Sequence, residues 1–234
     1  MANRERPAAA NRNAPAQVSA VVMELDNVLI DGRRIAFDCL KAVLSGKGMT
    51  LTPCAFSRYC ADAPPDAYAG VLLKELGKPR LSKDSLIDEF RSHVKRTLTA
   101  GRMKSDPAVV KLLETCRSRK ARLGFVSAFD EAIASALIKK AISVEGGISL
   151  LSTAGSGAQD GWPRLAGKMG LPPERCLAVV TSTKSCREAM AAGMRCVACP
   201  DRYTAFQDFG GADFVFDSIN DEAVSRITAF LGPS

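Results

Sequence analysis

Apolar and polar positions along the chain predict a first strand, a long helical stretch and then a regular alternation of helices and strands. The first strand covers residues 21–31, where an apolar run is bounded by polar residues. Residues 33–101 carry apolar side chains at helical spacing and predict no strand. From residue 106 onward, short apolar runs alternate with helical patterns. Strands that alternate with helices indicate a parallel sheet with helices on both faces, so the predicted fold class is α/β.

The alternating part of the chain divides into elements with recognisable ends. Asp106 and Pro107 are predicted to be the cap and first-turn residues of the helix that opens this part of the chain. Gly193 is predicted to end the helix at residues 184–192. Further helices are predicted at residues 130–142, 160–170, 184–192 and 221–231. The predicted strands lie at residues 123–127, 148–151, 176–181, 196–199 and 214–216.

Three carboxylates, Glu24, Asp26 and Asp31, stand at the end of the first predicted strand. Ligands bind at the carboxyl ends of the strands in an open α/β sheet. The pattern therefore predicts that this strand leads into a functional site.

The helical stretch is predicted to form a domain of its own. Helical patterns near residues 53–60 and 66–76 precede a helix that begins near Ser82 and Asp84 and presents one apolar stripe. His93 lies in that helix without an identifiable Ser, Cys or acid partner and is interpreted as a surface or packing residue. The predicted domains are a tail at residues 1–17, an α/β core at residues 18–32 and 102–234, and a helical domain at residues 33–101.

Composition favours an ordinary globular protein and limits its partners. The 234 residues are 47% hydrophobic, which is enough for a sizeable core, and no apolar run approaches the roughly 20 residues that span a bilayer. We expect no membrane association and a cytoplasmic location, with an organelle matrix as the alternative. The formal charge of +7 raises a nucleic-acid hypothesis, but the basic residues are spread along the chain, so specific nucleic-acid binding is not favoured.

The first 17 residues predict a flexible basic extension. They are rich in Ala, Asn, Arg and Pro and have no apolar period. Their three arginines and few acids also fit an organelle-targeting peptide or an arm that contacts an acidic partner. The sequence leaves these interpretations open.

Two motifs suggest chemistry but have simpler explanations. Cys196 and Cys199 have the C-x-x-C spacing of zinc or redox sites, yet no second pair accompanies them and the local pattern is that of a strand, which favours core packing. The eight cysteines are accordingly expected to be free thiols. Residues 155–161 have the spacing GxGxxxG, which differs from the dinucleotide-binding GxGxxG and is interpreted as a loop.

Several short motifs in a fixed order resemble one superfamily. They are Val-Val-Met-Glu-Leu-Asp-Asn-Val-Leu-Ile-Asp at residues 21–31, Gly-Phe-Val-Ser-Ala at 124–128, the stretches 170–176 and 187–194, and the closing strand at 211–218. This pattern is similar to the haloacid dehalogenase (HAD) superfamily, in particular its phosphatase and phosphoglucomutase-like branch. The resemblance covers nearly everything from residue 18 to the end. It implies a HAD-like (Rossmannoid) parallel sheet flanked by helices, with an inserted all-helical cap domain.

The resemblance also implies a chemical role for each motif position. Enzymes of this superfamily transfer a phosphoryl group through an aspartyl-phosphate, with Mg²⁺ as the cofactor. Glu24 stands at the position of the nucleophile and Asp26 at that of the general acid and base, and both are the implied metal ligands if a metal is bound. Ser127 takes the phosphate-binding position. Thr181 stands where the superfamily has a metal-binding acid, and the lysine site falls near Ser156, where no lysine stands.

These departures predict a weakened enzyme. The Glu24 carboxylate sits on a stem one methylene longer, which moves it by roughly 1 Å, and a displacement on that scale can cost about a hundredfold in rate. Thr181 removes a carboxylate from a magnesium shell, and the missing lysine removes charge stabilisation. Lys184, three residues beyond Thr181, is a candidate substitute in phosphate binding.

Two functions follow from the resemblance. The first is a catalytically impaired relative, a pseudoenzyme that acts as a binding or assembly subunit, with an acidic protein partner and no need for a cofactor. The alternative is a divergent Mg²⁺-dependent phosphatase or phosphomutase that acts on a small phosphorylated metabolite through a carboxylate nucleophile. A purely structural interpretation also stays open, in which Glu24 and Asp26 are the polar end of a strand and Ser127 caps a turn. The sequence identifies neither a substrate nor an oligomeric state.

Overall fold

The computed structural model describes residues 17–100, 105–142, 147–154 and 160–231. Contacts within the chain divide it into two compact units. The α/β unit comprises Met1–Ile30, Lys104–Asp201 and Gln207–Ser234, and the helical unit comprises Asp31–Met103 and Arg202–Phe206. Residues 1–16 of the predicted tail and the predicted lysine-site residue Ser156 lie outside the described residues.

A six-stranded parallel sheet forms the framework of the α/β unit. Its strands are β1 (Ala20–Glu24), β2 (Arg122–Ser127), β3 (Ile148–Ser152), β4 (Cys176–Val180), β5 (Arg195–Ala198) and β6 (Phe214–Val215). Their order is β3-β2-β1-β4-β5-β6, and every neighbouring pair is parallel. This sheet confirms the predicted α/β fold class.

Strand β1 lies at the switch point of the sheet. The chain continues from β1 to β2 and β3 on one side and returns to β4, β5 and β6 on the other. All five residues of β1 are buried, as expected of a parallel strand covered on both faces. Since ligands bind beside the switch point at the carboxyl ends of the strands, the side chains after β1, β2 and β4 are in the position of a ligand site.

The helical unit contains α1 (Gly32–Ser45), α2 (Pro53–Tyr59), α3 (Pro65–Glu75) and α4 (Lys83–Ala100). Local capping fixes where these helices begin. Asp31 accepts a hydrogen bond from the backbone N of Arg34 at 3.3 Å, and Thr52 accepts one from the backbone N of Ala55 at 3.1 Å. Asp31, which the sequence groups with Glu24 and Asp26, therefore serves as the cap of α1.

An aromatic cluster fills part of the core of the helical unit. The rings of Phe37 in α1 and Phe56 in α2 meet edge to face, with centroids 5.5 Å apart. Tyr203, from the segment Arg202–Phe206, packs against Phe37 at 5.7 Å and against Phe56 at 5.0 Å. Only 1% of Tyr203 is exposed. A segment that follows β5 is thus an integral part of the helical unit.

Helices of the α/β unit are α5 (Pro107–Ser118), α6 (Glu131–Ala141), α7 (Gly161–Lys168), α8 (Thr183–Ala191) and α9 (Asp221–Ala229). Asp106 caps α5 by accepting a hydrogen bond from the backbone N of Ala108 at 2.8 Å. Pro163 is the third residue of α7, where a helix needs no backbone N–H donor, so the helix accommodates it. Among the described residues, no helix combines the length and the apolar character that a membrane crossing requires.

Candidate functional site

The motif at residues 21–31 folds as a short strand followed by a turn. Its apolar pattern predicts one continuous strand instead. Strand β1 ends at Glu24, and Leu25–Leu29 form one π-helical turn that is closed by a hydrogen bond from the N of Ile30 to the O of Leu25 at 3.3 Å. Turns of this kind are rare and occur frequently at functional sites. The turn carries Asp26 beyond the end of β1.

Asp26 is held by the end of the neighbouring strand β2. The hydroxyl of Ser127 donates to Oδ1 of Asp26 at 2.6 Å, and the backbone N of Ala128 donates to Oδ2 at 2.6 Å. These two donors, Ser127 Oγ–H and Ala128 N–H, form what we call the oxyanion cradle. A carboxylate fills it in this structure, and a phosphate group presents the same kind of oxygen acceptor.

The oxyanion cradle is rigidly supported. Ser127 is only 1% exposed, and its hydroxyl oxygen accepts a further hydrogen bond from the backbone N of Phe129 at 3.1 Å. The carbonyl of Ser127 accepts from both the backbone N and the hydroxyl of Thr153, at 2.8 and 3.1 Å. Because the surrounding hydrogen bonds fix the backbone, the two donors are preorganised for an anion.

Glu24 faces the other neighbouring strand, β4. Its side chain is buried, with the residue 8% exposed, and its Oε2 accepts hydrogen bonds from the hydroxyl of Thr181 and from Nδ2 of Asn27, the latter at 3.5 Å. Its Oε1 is buried and has no hydrogen-bond partner among the described residues. A buried acceptor without a partner is costly, so this oxygen marks a place where a ligand donor or a water would be stabilised.

Removal of the Thr181 hydroxyl is expected to destabilise the protein. In Thr181→Val the buried Glu24 carboxylate loses a donor, and we expect the free energy of unfolding, measured by urea denaturation, to fall by about 1–2 kcal/mol. The double variant Glu24→Leu/Thr181→Val removes both polar partners and should recover most of that loss. A double variant less stable than Thr181→Val would show that the pair is not the source of the effect.

The side chains at this edge do not fit a magnesium site built by the protein alone. Protein-bound Mg²⁺ takes oxygen ligands, commonly one or two carboxylates with waters and substrate phosphates. Both Asp26 oxygens accept hydrogen bonds, and one Glu24 oxygen accepts from Thr181, which leaves Oε1 of Glu24 as the unpartnered carboxylate oxygen of the two side chains. In the described part of the chain, no group of three or more His, Cys, Asp or Glu residues is arranged to hold a metal.

Lys184 and Glu188 extend the electrostatic surroundings of Glu24 along α8. Burial raises the pKa of the Glu188 carboxyl, the charges of Glu24 and Asp160 raise it further, and Lys184 opposes them. Lys184 itself is exposed in the first turn of α8 and interacts electrostatically with Glu188, one turn further along. Its predicted role in phosphate binding stays a prediction. The i, i+4 spacing of Lys184 and Glu188 is the sequence signal for this pair, although Glu188 is not among the predicted site residues.

The C-x-x-C pair is part of the core around β5. Cys196 and Cys199 are both buried free thiols, and burial raises the pKa of Cys199 to about 12. The sulfur of Cys196 lies 3.4 Å from that of Cys186 in α8. These features fit the core-packing interpretation, because a buried thiol with a raised pKa is a poor nucleophile and metal ligand.

Comparison with known proteins finds sequences similar to part of this chain. No protein-family model matches the chain. A CBBY-like protein of Arabidopsis thaliana is 31% identical over 133 residues, and protein CbbY of Rhodobacter capsulatus is 28% identical over 137 residues. These matches cover 54% and 56% of this chain, but only 42% and 60% of the two relatives. The chain thus matches less than two thirds of the length of either relative.

Solved structures agree over more of the chain. CbbY from Rhodobacter sphaeroides superposes with a TM-score of 0.71 at 17% identity, covering 87% of this chain and 96% of that one. A putative β-phosphoglucomutase from Thermotoga maritima superposes with a TM-score of 0.68 at 16% identity, covering 92% and 100%. The fold implied by the motifs is thus confirmed, and the chain has the fold of the haloacid dehalogenase hydrolases.

Proposed function

We propose that this protein is a catalytically impaired HAD-fold protein that acts by binding a small phosphorylated molecule at the oxyanion cradle. The observation that carries the proposal is the engagement of Asp26 with Ser127 and Ala128. A carboxylate that holds both donors of the cradle is not poised to exchange protons with a substrate, while the same donors suit a phosphate oxygen once the carboxylate moves away.

The surroundings of Glu24 support the loss of phosphoryl transfer. A nucleophilic carboxylate must reach the phosphorus atom, and transfer needs cations that offset the charge of the phosphoryl group. Here one oxygen of Glu24 is hydrogen-bonded to Thr181, which replaces the acid expected at that position. A hydroxyl in place of a carboxylate leaves less negative charge to attract Mg²⁺.

The class of ligand is supported by a relative. CbbY from Rhodobacter sphaeroides, which shares the fold, has been solved in complex with phosphate and, as a mutant, in complex with xylulose-(1,5)bisphosphate. A phosphate group in this chain would replace the Asp26 carboxylate as the acceptor for Ser127 Oγ and Ala128 N. The remainder of the ligand is not specified by these two donors.

A second candidate function is a divergent Mg²⁺-dependent phosphatase or phosphomutase. The observation in its favour is Oε1 of Glu24, a buried carboxylate oxygen without a hydrogen-bond partner among the described residues. Such an oxygen is the atom that a carboxylate nucleophile or a metal ligand would use. Under this hypothesis Glu24 or Asp26 is the working carboxylate and a small phosphorylated metabolite is the substrate.

Hydrolysis of a generic phosphate ester, p-nitrophenyl phosphate, separates the two functions. We expect no turnover above the rate in buffer, with or without Mg²⁺, for the unaltered protein and for Glu24→Asp. Asp26→Asn tests whether Asp26 takes part in any turnover. Its matched control is Asp217→Asn, which changes an exposed carboxylate that follows β6. Mg²⁺-dependent turnover that Asp26→Asn abolishes and Asp217→Asn preserves would establish the phosphatase and overturn the impaired-enzyme proposal.

A further inference from the structure

A pocket lies at the amino ends of the strands, at the end of the sheet opposite to the oxyanion cradle. It has a volume of about 200 Å³ and is formed where the chain enters β1, β2 and β4. The lining residues come from four separate parts of the chain and are Gln17, Val18, Ser19, Arg119, Lys120, Ala121, Arg175 and Leu231. They include three cationic side chains and no acidic one, so the pocket has a strongly positive lining.

Backbone hydrogen bonds hold the walls of this pocket in place. The backbone N of Ser19 donates to the carbonyl of Arg175 at 2.7 Å, and the backbone N of Val18 donates to the carbonyl of Phe230 at 3.1 Å. Val18 also forms a parallel bridge with Leu231. The backbone that lines the pocket is therefore part of the sheet framework.

Two arginines in the pocket are held by hydrogen bonds that use only some of their guanidinium N–H groups. Nε and one terminal nitrogen of Arg175 donate to the hydroxyl of Ser19 at 3.2 and 2.6 Å, and a terminal nitrogen of Arg119 donates to the carbonyl of Thr228 at 2.8 Å. A guanidinium has five N–H donors in a planar fork that matches the oxygens of a phosphate. Among the described residues, these anchoring contacts use only part of each fork, so the other N–H groups are available to a ligand.

Lys120 occupies a backbone position that favours glycine. Helix α5 ends in a Schellman motif, in which the N of Ala121 donates to the O of Cys116 at 2.9 Å and the N of Lys120 donates to the O of Arg117 at 2.8 Å. Lys120 is the left-handed residue of this motif, with φ of 56°. A lysine there is strained relative to glycine, and its charge stands beside Arg119 in the pocket.

We propose that this pocket, lined by Arg119, Lys120 and Arg175, is a second binding site that takes the phosphate group of a small molecule. A phosphate carries nearly two negative charges and three acceptor oxygens, which match three cations in one pocket better than the single charge of a carboxylate does. The site is separate from the oxyanion cradle, because the two lie at opposite ends of β1 and β2. The inference does not depend on the proposed function.

The test is a titration of ¹⁵N-labelled protein with inorganic phosphate at low ionic strength, followed by NMR. We expect shifts of the amides of Ser19, Lys120, Ala121 and Arg175 that saturate together, separately from those of Ser127 and Ala128. Lys120→Gln should weaken this binding about threefold to fivefold, since an exposed charge contributes modestly. The matched control Lys139→Gln removes an exposed lysine from α6 and should leave the affinity unchanged.

Two further arms make the result decisive. Lys120→Gly removes the same charge but relieves the left-handed strain, so it should weaken phosphate binding while raising the melting temperature by about 2–4 °C. Acetate, which carries a single carboxylate charge, should bind more weakly than phosphate at equal ionic strength. The proposal is overturned if Lys120→Gln and Lys139→Gln weaken binding equally, if Lys120→Gly binds phosphate as the unaltered protein does, or if acetate binds as well as phosphate.

Discussion

Replacement of Tyr203 by alanine is expected to lower the free energy of unfolding by about 3–5 kcal/mol. The ring is 1% exposed and packs against Phe37 and Phe56, with centroids 5.7 and 5.0 Å away. Truncation would remove these contacts and leave a cavity among the helices of the helical unit, whose fixed backbones allow little collapse. Urea denaturation monitored by far-UV circular dichroism measures the change.

The same segment supplies the control for this prediction. Phe206 is 68% exposed, so Phe206→Ala should change the free energy of unfolding by no more than about 0.5 kcal/mol. Tyr203→Phe keeps the ring and removes only the hydroxyl, which contacts Arg202 at 2.6 Å, and should cost far less than the alanine variant. A loss below about 1 kcal/mol in Tyr203→Ala would mean that the segment does not complete the core of the helical unit.

Asp26→Ala is expected to tighten the binding of inorganic phosphate at the oxyanion cradle on the order of a hundredfold. The Asp26 carboxylate competes with phosphate for Ser127 Oγ and Ala128 N, and two hydrogen bonds to a charged group are together worth about 3 kcal/mol. Its removal also eliminates repulsion between two anions. Isothermal titration calorimetry of Asp26→Ala and of the unaltered protein gives the comparison.

The direction of the change in phosphate affinity shows whether the Asp26 carboxylate competes with phosphate or helps to hold it. Asp217→Ala removes an exposed carboxylate far along the sheet, after β6, and should leave the affinity for phosphate unchanged. Ser127→Ala in the Asp26→Ala background should cancel most of the gain, because it removes one of the two donors. Weaker phosphate binding by Asp26→Ala than by the unaltered protein would show that Asp26 takes part in holding the ligand.

The sequence predicts the framework of this protein because its signals are local. Each parallel strand is a short apolar run, and each helix has a face and a cap that can be located in the sequence, as Asp106 shows for α5. The carboxyl ends of parallel strands lie at the same end of the sheet. Because β1 lies between β2 and β4, the motif residues that follow these three strands lie close together. The contacts of Asp26 with Ser127 and of Glu24 with Thr181 follow from that convergence.

Other parts of the site depend on geometry that no local pattern encodes. The π-helical turn after Glu24 aims Asp26 at the cradle, but its apolar residues Leu25, Val28 and Leu29 fit a strand as well as a turn. Periodicity does not separate the two in so short a run. Whether Oε1 of Glu24 has a hydrogen-bond partner likewise depends on how the neighbouring side chains pack around it. The residue types alone do not determine that packing.

The place of Tyr203 among Phe37 and Phe56 bears on how the chain is made. During synthesis α1 to α4 leave the ribosome long before Tyr203 does. Until Tyr203 has been translated, the core of the helical unit lacks one of its aromatic rings. Closing so long a loop carries an entropic cost that early helix formation does not repay. A nascent chain halted before Tyr203 should therefore expose the apolar surface around Phe37 and Phe56, and a chain long enough for Tyr203 to leave the ribosome should bury it.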